Sequence, residues 1–213
     1  MVRLTAFILD CLFPRACVSC HCKGRLLCGT CGQGALGDLP PWTPTHVAFS
    51  WYARRPVNKL IDAWKFQGDL SAEAVFQDRI LSLKEDLLKH WPWLGAGETV
   101  LVPAPLTRRR YAERGFNQAE RLAHILGKIF NLPVEKVFVR TGPNVHLANL
   151  TGHLNRTRAL ETQRITTTFT PATRVIIVDD VLTTGATLTK LADTLKSQGV
   201  ADIYTITLAQ SHN

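Results

Sequence analysis

The chain has 213 residues, 46% of them apolar, which is enough for one full hydrophobic core and a small appended module and too little for an array of large domains. A formal net charge of +8 favours polyanionic partners, nucleic acid or phosphorylated metabolites, and says nothing about fold. No apolar run reaches the length of a transmembrane span.

The N-terminal stretch MVRLTAFILD has one early Arg and a short apolar run, but Asp10 interrupts it and LFPRAC offers no small-residue cleavage site. A cytoplasmic protein is therefore expected. Leu4, Phe7, Ile8, Cys11 and Leu12 fall on one helical face, which predicts an amphipathic helix packed on its own protein, with a membrane-surface role as the alternative. All six cysteines lie within the first 31 residues. Cys17-x-x-Cys20 and Cys28-x-x-Cys31 are two paired turns, each able to offer two thiolates to one tetrahedral Zn²⁺ in a closed structural site. Without an export signal, structural disulfides are not expected. Redox or vestigial cysteines are the competing reading, His21 or Cys22 can stand in for Cys20, and Cys11 reads as a buried apolar side chain.

A Gly/Pro-rich stretch, Gly32 to Pro44, separates this module (1–35) from the main domain (45–213). His46 to Tyr52 alternates as a strand, and Val57, Leu60, Ile61 and Trp64 give a helical stripe ending near Gly68, with Lys65 and Phe66 just before that glycine. Thr99 to Val102 is a buried strand. Beyond it stand Arg108, Arg109, Arg110, Arg114 and Gly115, a basic loop where a strand end should open into a cleft. Planar guanidinium forks suit the crowded oxygens of a pyrophosphate, and Asn117 and Gln118 can add neutral hydrogen bonds; a solvated basic turn is the bland alternative. Phe116, Ala119, Leu122, Ala123 and Leu126 continue as a helix.

In RVIIVDDVLTTGATL, residues 174 to 188, four β-branched residues form a strand buried on both faces, and Asp179 and Asp180 mark its C-terminal edge. Open α/β sheets bind their ligands at that edge. Thr183, Thr184, Gly185 and Thr187 then bring hydroxyls and a glycine to a helix N-terminus, where unpaired N–H groups attract phosphate. Leu188, Leu191, Ala192 and Leu195 carry the helix to Gly199, and Ile203 to Ala209 form the last strand. Acids that accept from sugar hydroxyls beside a phosphate cradle describe a ribose 5-phosphate. The segment resembles the phosphoribosyl pyrophosphate (PRPP) signature of type I phosphoribosyltransferases.

VPAPL and RGFNQAERLA, preceded by LIDAWKFQGD and two Cys-x-x-Cys pairs and followed by VIIVDDVLTTGATL, resemble the ComF family of natural competence over essentially the whole chain. The resemblance implies a mostly parallel α/β sheet flanked by helices and capped by a zinc module, with Asp179 and Asp180 as the acids of the site. It implies ligand contacts from Lys65, Arg108, Arg109, Arg110, Arg114, Asn117, Gln118 and the turn Thr183, Thr184, Gly185, Ala186 and Thr187, and zinc on Cys17, Cys20, Cys28 and Cys31. Family members commonly carry a Gln and an Asn between the basic loop and the acidic strand. Here residues 142–160 diverge, with Asn144, His146, Asn149, Arg156 and Arg158 as substitutes. Two classes of function follow. One is a protein of DNA uptake that binds single-stranded DNA, a PRPP-type ligand, or both, working with a helicase or membrane channel. The other is a phosphoribosyltransferase that uses PRPP with Mg²⁺ on an unidentified acceptor, with a PRPP-sensing regulator between them. Only four residues follow the last strand, so a lid over the acceptor has to come from residues 36 to 66, where Trp42, Trp51, Tyr52 and Trp64 are either stacking surfaces or core.

Overall fold

A computed structural model describes residues 16–35, 37–95, 98–140, 163–165 and 174–211. The N-terminal amphipathic stretch and the divergent segment 142–160 lie outside them. Along the chain run α1 (Gly29–Ala35), β1 (His46–Ala48), α2 (Arg55–Phe66), α3 (Ala72–Ser82), α4 (Lys84–His90), β2 (Thr99–Pro103), α5 (Arg108–Arg114), α6 (Gln118–Phe130), β3 (Phe138–Arg140), β4 (Gln163–Ile165), β5 (Arg174–Leu182), α7 (Ala186–Ser197) and β6 (Asp202–Gln210). Four strands form one parallel sheet in the order β1-β6-β5-β2, and β3 and β4 form a separate antiparallel pair.

The uninterrupted aliphatic run of β5 is needed because both of its faces are covered. Ile176 and Val178 join Leu101, Ile206 and Leu208 against the apolar stripes of α2, α3 and α6. Val175 and Ile177 join Val100 and Val102 against Leu188, Leu191 and Leu195 of α7. Each of these fully buried aliphatic side chains stabilises the fold by about 1.5–3 kcal/mol. The expected stripe of α2 is the buried one, Val57, Leu60, Ile61 and Trp64. Pro56 starts this helix, where its fixed φ is favourable, and Gly68 at φ 66 turns the chain away after it.

Two expectations are corrected. The basic segment is not a loop: Thr107 caps α5 by accepting from Arg110 N at 3.2 Å, and Gly115 closes it at φ 78 in the left-handed region that favours glycine. The acidic strand does not stop at Val178 but continues to Leu182, because β6 keeps pairing with it after β2 has ended at Pro103. Helix α1 lies in the N-terminal module, 1–35. Cys17 and Leu27 are buried in the same cluster as Val57 and Trp64, so the cysteine module packs on the main core.

Candidate functional site

All four sheet strands are parallel, so the end of β2 and the end of β5 reach one edge. From that edge α5 carries the arginines and β5 carries the acids. Beyond Val178, β5 pairs on one side only, with Asp179 opposite Thr207. The missing neighbour leaves β5 unpaired on that side, where the chain has turned from β2 into α5.

Asp180 forms an ion pair with Lys65 of α2 at 2.8 Å, with both side chains largely buried. Asp179 accepts from the backbone N of Asp180 at 2.8 Å. Burial, and then the negative charge of Asp180, push the Asp179 carboxyl up to about 7; the Asp180 N–H, Lys65 and Arg110 oppose the shift. Arg114 is half-buried, which lowers its pKa, while Asp180 supports its charge. The structure thus brings Lys65, Arg110, Arg114, Asp179 and Asp180 to one place.

The other arginines sit apart. Arg108 and Arg109 are exposed, and Arg109 Nε donates to Glu113 Oε1 at 2.7 Å one turn along the same helix. Asn117 is engaged by the fold: Oδ1 accepts from Ala119 N at 3.1 Å as the cap of α6, and Nδ2 donates to Ala104 O at 2.9 Å. Gln118 is only 1% exposed and accepts from Arg114 Nη1 at 3.0 Å through Oε1, so it holds the arginine in place. Both side chains are thus engaged by the fold beside the site.

Past the acids, Thr183 and Thr184 are exposed, Gly185 stands at φ 76, and Ala186 opens α7, with Thr187 in its first turn. Gly185 is the N-cap, and its left-handed backbone is the reason a glycine is required there. An exposed helix start with hydroxyls on both sides has donors of the kind that attract a phosphate.

One residue of the site, Asp62, escaped the sequence reading, and Tyr52, a candidate stacking aromatic, lies beside it. Tyr52 hydrogen-bonds Asp62, and burial, then Asp62 and Asp180, push its hydroxyl up. Asp62 stands three residues before Lys65 on α2, so helical spacing was the available signal. Of the proposed stacking aromatics, Trp64 is core: it is fully buried, with Nε1 donating to Glu73 Oε1 at 3.0 Å. Trp42 is half-buried and donates to Ala48 O at 3.0 Å. Arg121 of α6 closes the same knot on Glu73, with Nη2 to Oε2 at 2.7 Å, tying α6 to α3.

At the other end of the chain, the sulfurs of Cys17, Cys20, Cys28 and Cys31 all lie within 4.8 Å of one another. Four thiolates around a tetrahedral Zn²⁺ are separated by about 3.8 Å, given Zn–S bonds of about 2.3 Å, so this donor set suits that ion. Burial opposes ionisation of Cys17, but backbone N–H donors of Cys20, Cys28 and Ser19 outweigh it and lower its pKa to about 6, while Cys31, although Ser19 opposes the shift, is pushed up to about 11 by the Cys28 and Cys20 thiols. His21 and Cys22 are exposed, and the Cys22 thiol meets those of Cys20 and Cys28, which push its pKa up, so Cys22 borders the cluster. Among the described residues, no helix is long and apolar enough to cross a membrane.

A parallel sheet covered by helices, with paired acids and a hydroxyl-rich turn at its C-terminal edge, defines a phosphoribosyltransferase-like α/β protein. Residues 112–213 match the phosphoribosyl transferase domain family. Over 198 residues the chain is 31% identical to competence protein ComFC of Streptococcus pneumoniae, covering 88% of this chain and 82% of that protein. It is 28% identical over 199 residues to competence protein F of Haemophilus influenzae, covering 90% and 83%. It is also 29% identical over 180 residues to the DNA utilization protein YhgH of Escherichia coli O157:H7, covering 84% and 75%. The chain belongs to the ComF family of competence proteins.

Proposed function

We propose that this protein binds a PRPP-type ligand with Mg²⁺ at the C-terminal edge of its sheet and single-stranded DNA along the adjoining basic helix, in support of DNA internalisation during natural transformation. The reading is carried by the convergence of Asp179 and Asp180 with Lys65, Arg110 and Arg114 at the strand end that leads into the Thr183–Thr187 turn. Ribose hydroxyls donate to the two carboxylates, the 5-phosphate takes the turn and the start of α7, and Arg110 and Arg114 face the pyrophosphate. Mg²⁺ neutralises pyrophosphate charge and is held beside the acids through water. Lys65 has to release Asp180 when the ribose arrives, and its charge is then free for a phosphate. Single-stranded DNA fits the same surface, because a positive groove that holds one polyphosphate also attracts a phosphodiester backbone. The four cysteines hold a structural Zn²⁺. The protein works in the cytoplasm, at the inner face of the membrane, where a helicase or channel of the uptake machinery hands over the strand.

A second reading, a phosphoribosyltransferase acting on an unidentified acceptor, is favoured by one observation. A carboxyl with its pKa at about 7 exchanges a proton at neutral pH, as a catalytic acid or base must. Calorimetric titration with PRPP-Mg²⁺ and with oligo-dT tests the first reading. Asp179→Asn combined with Asp180→Asn is expected to abolish PRPP binding in a folded protein, and PRPP is expected to compete with DNA. If the double variant binds PRPP like the wild type, the site is misassigned. Pyrophosphate release that depends on an added acceptor establishes the second reading.

A further inference from the structure

Phe66 is the last residue of α2 and immediately follows Lys65, the partner of Asp180. It stands four residues after Asp62, on the same side of the helix, and next to Lys65, which reaches Asp180. Its ring is nevertheless 70% exposed. An apolar ring left in water is common at a surface, but this one is held in place. The Arg114 guanidinium lies 5.1 Å from the ring centroid, and Arg114 is itself fixed by Gln118 Oε1 at 3.0 Å and faces Asp180. Tyr111, one turn before Arg114 on α5, is 52% exposed. Among the described residues, these are the two exposed large aromatic side chains. Both belong to the elements that carry the cations of the site.

We propose that Phe66, backed by Arg114, is the platform on which a nucleobase stacks when its sugar-phosphate lies at the Asp179–Asp180 edge. The inference rests on the functional reading above and deepens it by naming what recognises the base. A ribose held by the two acids carries its base one sugar away from them, and Phe66 is one residue from the lysine that touches Asp180. Every base has a π-face, so a Phe ring accepts any of them without reading sequence. The guanidinium adds attraction of its own to the ring system. The base belongs either to a DNA strand or to a free nucleotide.

The test compares wild type, Phe66→Ala and Phe66→Trp for binding to oligo-dT, to an abasic oligomer of the same length, to uridine monophosphate and to PRPP-Mg²⁺. Because Phe66 is so exposed, Phe66→Ala should melt like the wild type. It should bind oligo-dT about five- to a hundredfold more weakly, the range for one lost base stack, while its affinity for the abasic oligomer and for PRPP stays within about twofold. Phe66→Trp should restore the oligo-dT affinity, and its indole emission should be quenched by the bases and not by the abasic strand. A loss confined to the oligomer assigns the platform to DNA; a loss confined to, or shared by, the monophosphate assigns it to nucleotides in general. If the wild type binds PRPP and oligo-dT and Phe66→Ala binds both equally well, the platform is wrong and the functional reading stands. Equal wild-type affinity for oligo-dT and the abasic strand also overturns the platform. If the wild type binds neither PRPP nor DNA, both proposals fall together.

Discussion

Replacing Asp179 by Asn should make the ligand-free protein more stable at alkaline pH and leave it unchanged in acid. In the native state burial and the charge of Asp180 raise the carboxyl from 3.8 to about 7. The native protein therefore holds a proton that the unfolded chain has released between these two values. The slope of unfolding free energy against pH is proportional to the protons bound in the unfolded state minus those bound in the native state, and for this group it is negative across that window. Stability is complete below pH 3.8, is lost as pH rises to about 7, and is flat beyond. About three units at about 1.4 kcal/mol each set an upper limit near 4 kcal/mol; relaxation around a half-buried edge lowers this, so about 2–4 kcal/mol is expected. Asn keeps an oxygen to accept from Asp180 N and has nothing to titrate. At pH 8 the variant should gain that energy, about 4–16 °C in Tm for a chain of this size, and at pH 4 the two proteins should melt together. Urea unfolding of wild type and variant from pH 4 to pH 8.5, without PRPP or Mg²⁺, reads the difference directly. Parallel pH profiles would refute the strained carboxyl at this strand end.

Further outcomes follow from other parts of the fold. Metal analysis should find about one zinc per chain, lost in Cys28→Ser. Chelation should lower Tm because Cys17 and Leu27 pack into the main core, and a metal-free protein that melts normally would remove the zinc assignment. The pair Arg108→Ala and Arg109→Ala should flatten the salt dependence of oligo-dT binding by roughly 1.4 log units per log unit of salt, at about 0.7 for each phosphate contact. PRPP affinity should hold, since Arg110 and Arg114 are the arginines that face the acids, and an unchanged slope in filter binding would take DNA off α5. A Cβ on Gly127 would lie 2.8 Å from Leu132 O and 3.1 Å from a Val134 methyl, so Gly127→Ala should destabilise the fold by about 1–3 kcal/mol, visible as a lower denaturation midpoint.

Chemistry that is local in the chain could be read without a structure. The β-branched run before Asp179, the threonines and glycine after it, the stripe of α2 and the two Cys-x-x-Cys turns each declare themselves within a dozen residues, because strand period, helix period and metal-ligand spacing are short-range rules. Helices α3 and α4 were not expected from the sequence. The stripe of α3 is thin, with only Ala72, Phe76 and Ile80 buried, and α4 buries Leu87 alone. What the side chains at the edge touch depended on tertiary packing. Lys65 and Asp180 are far apart in the chain, and only the parallel sheet beneath α2 brings them to 2.8 Å. Asn117 and Gln118 look like ligand-binding amides in sequence, yet one caps a helix and the other orients Arg114, because the start of α6 packs against the chain just past β2, at Ala104, and Gln118 and Ala119 are buried. The division between Trp64, sealed in the core by Glu73, and Phe66, left in water beside Arg114, was likewise set by packing. Two residues rotate the helix by about 200°, and only the position of the sheet decides which side faces inward.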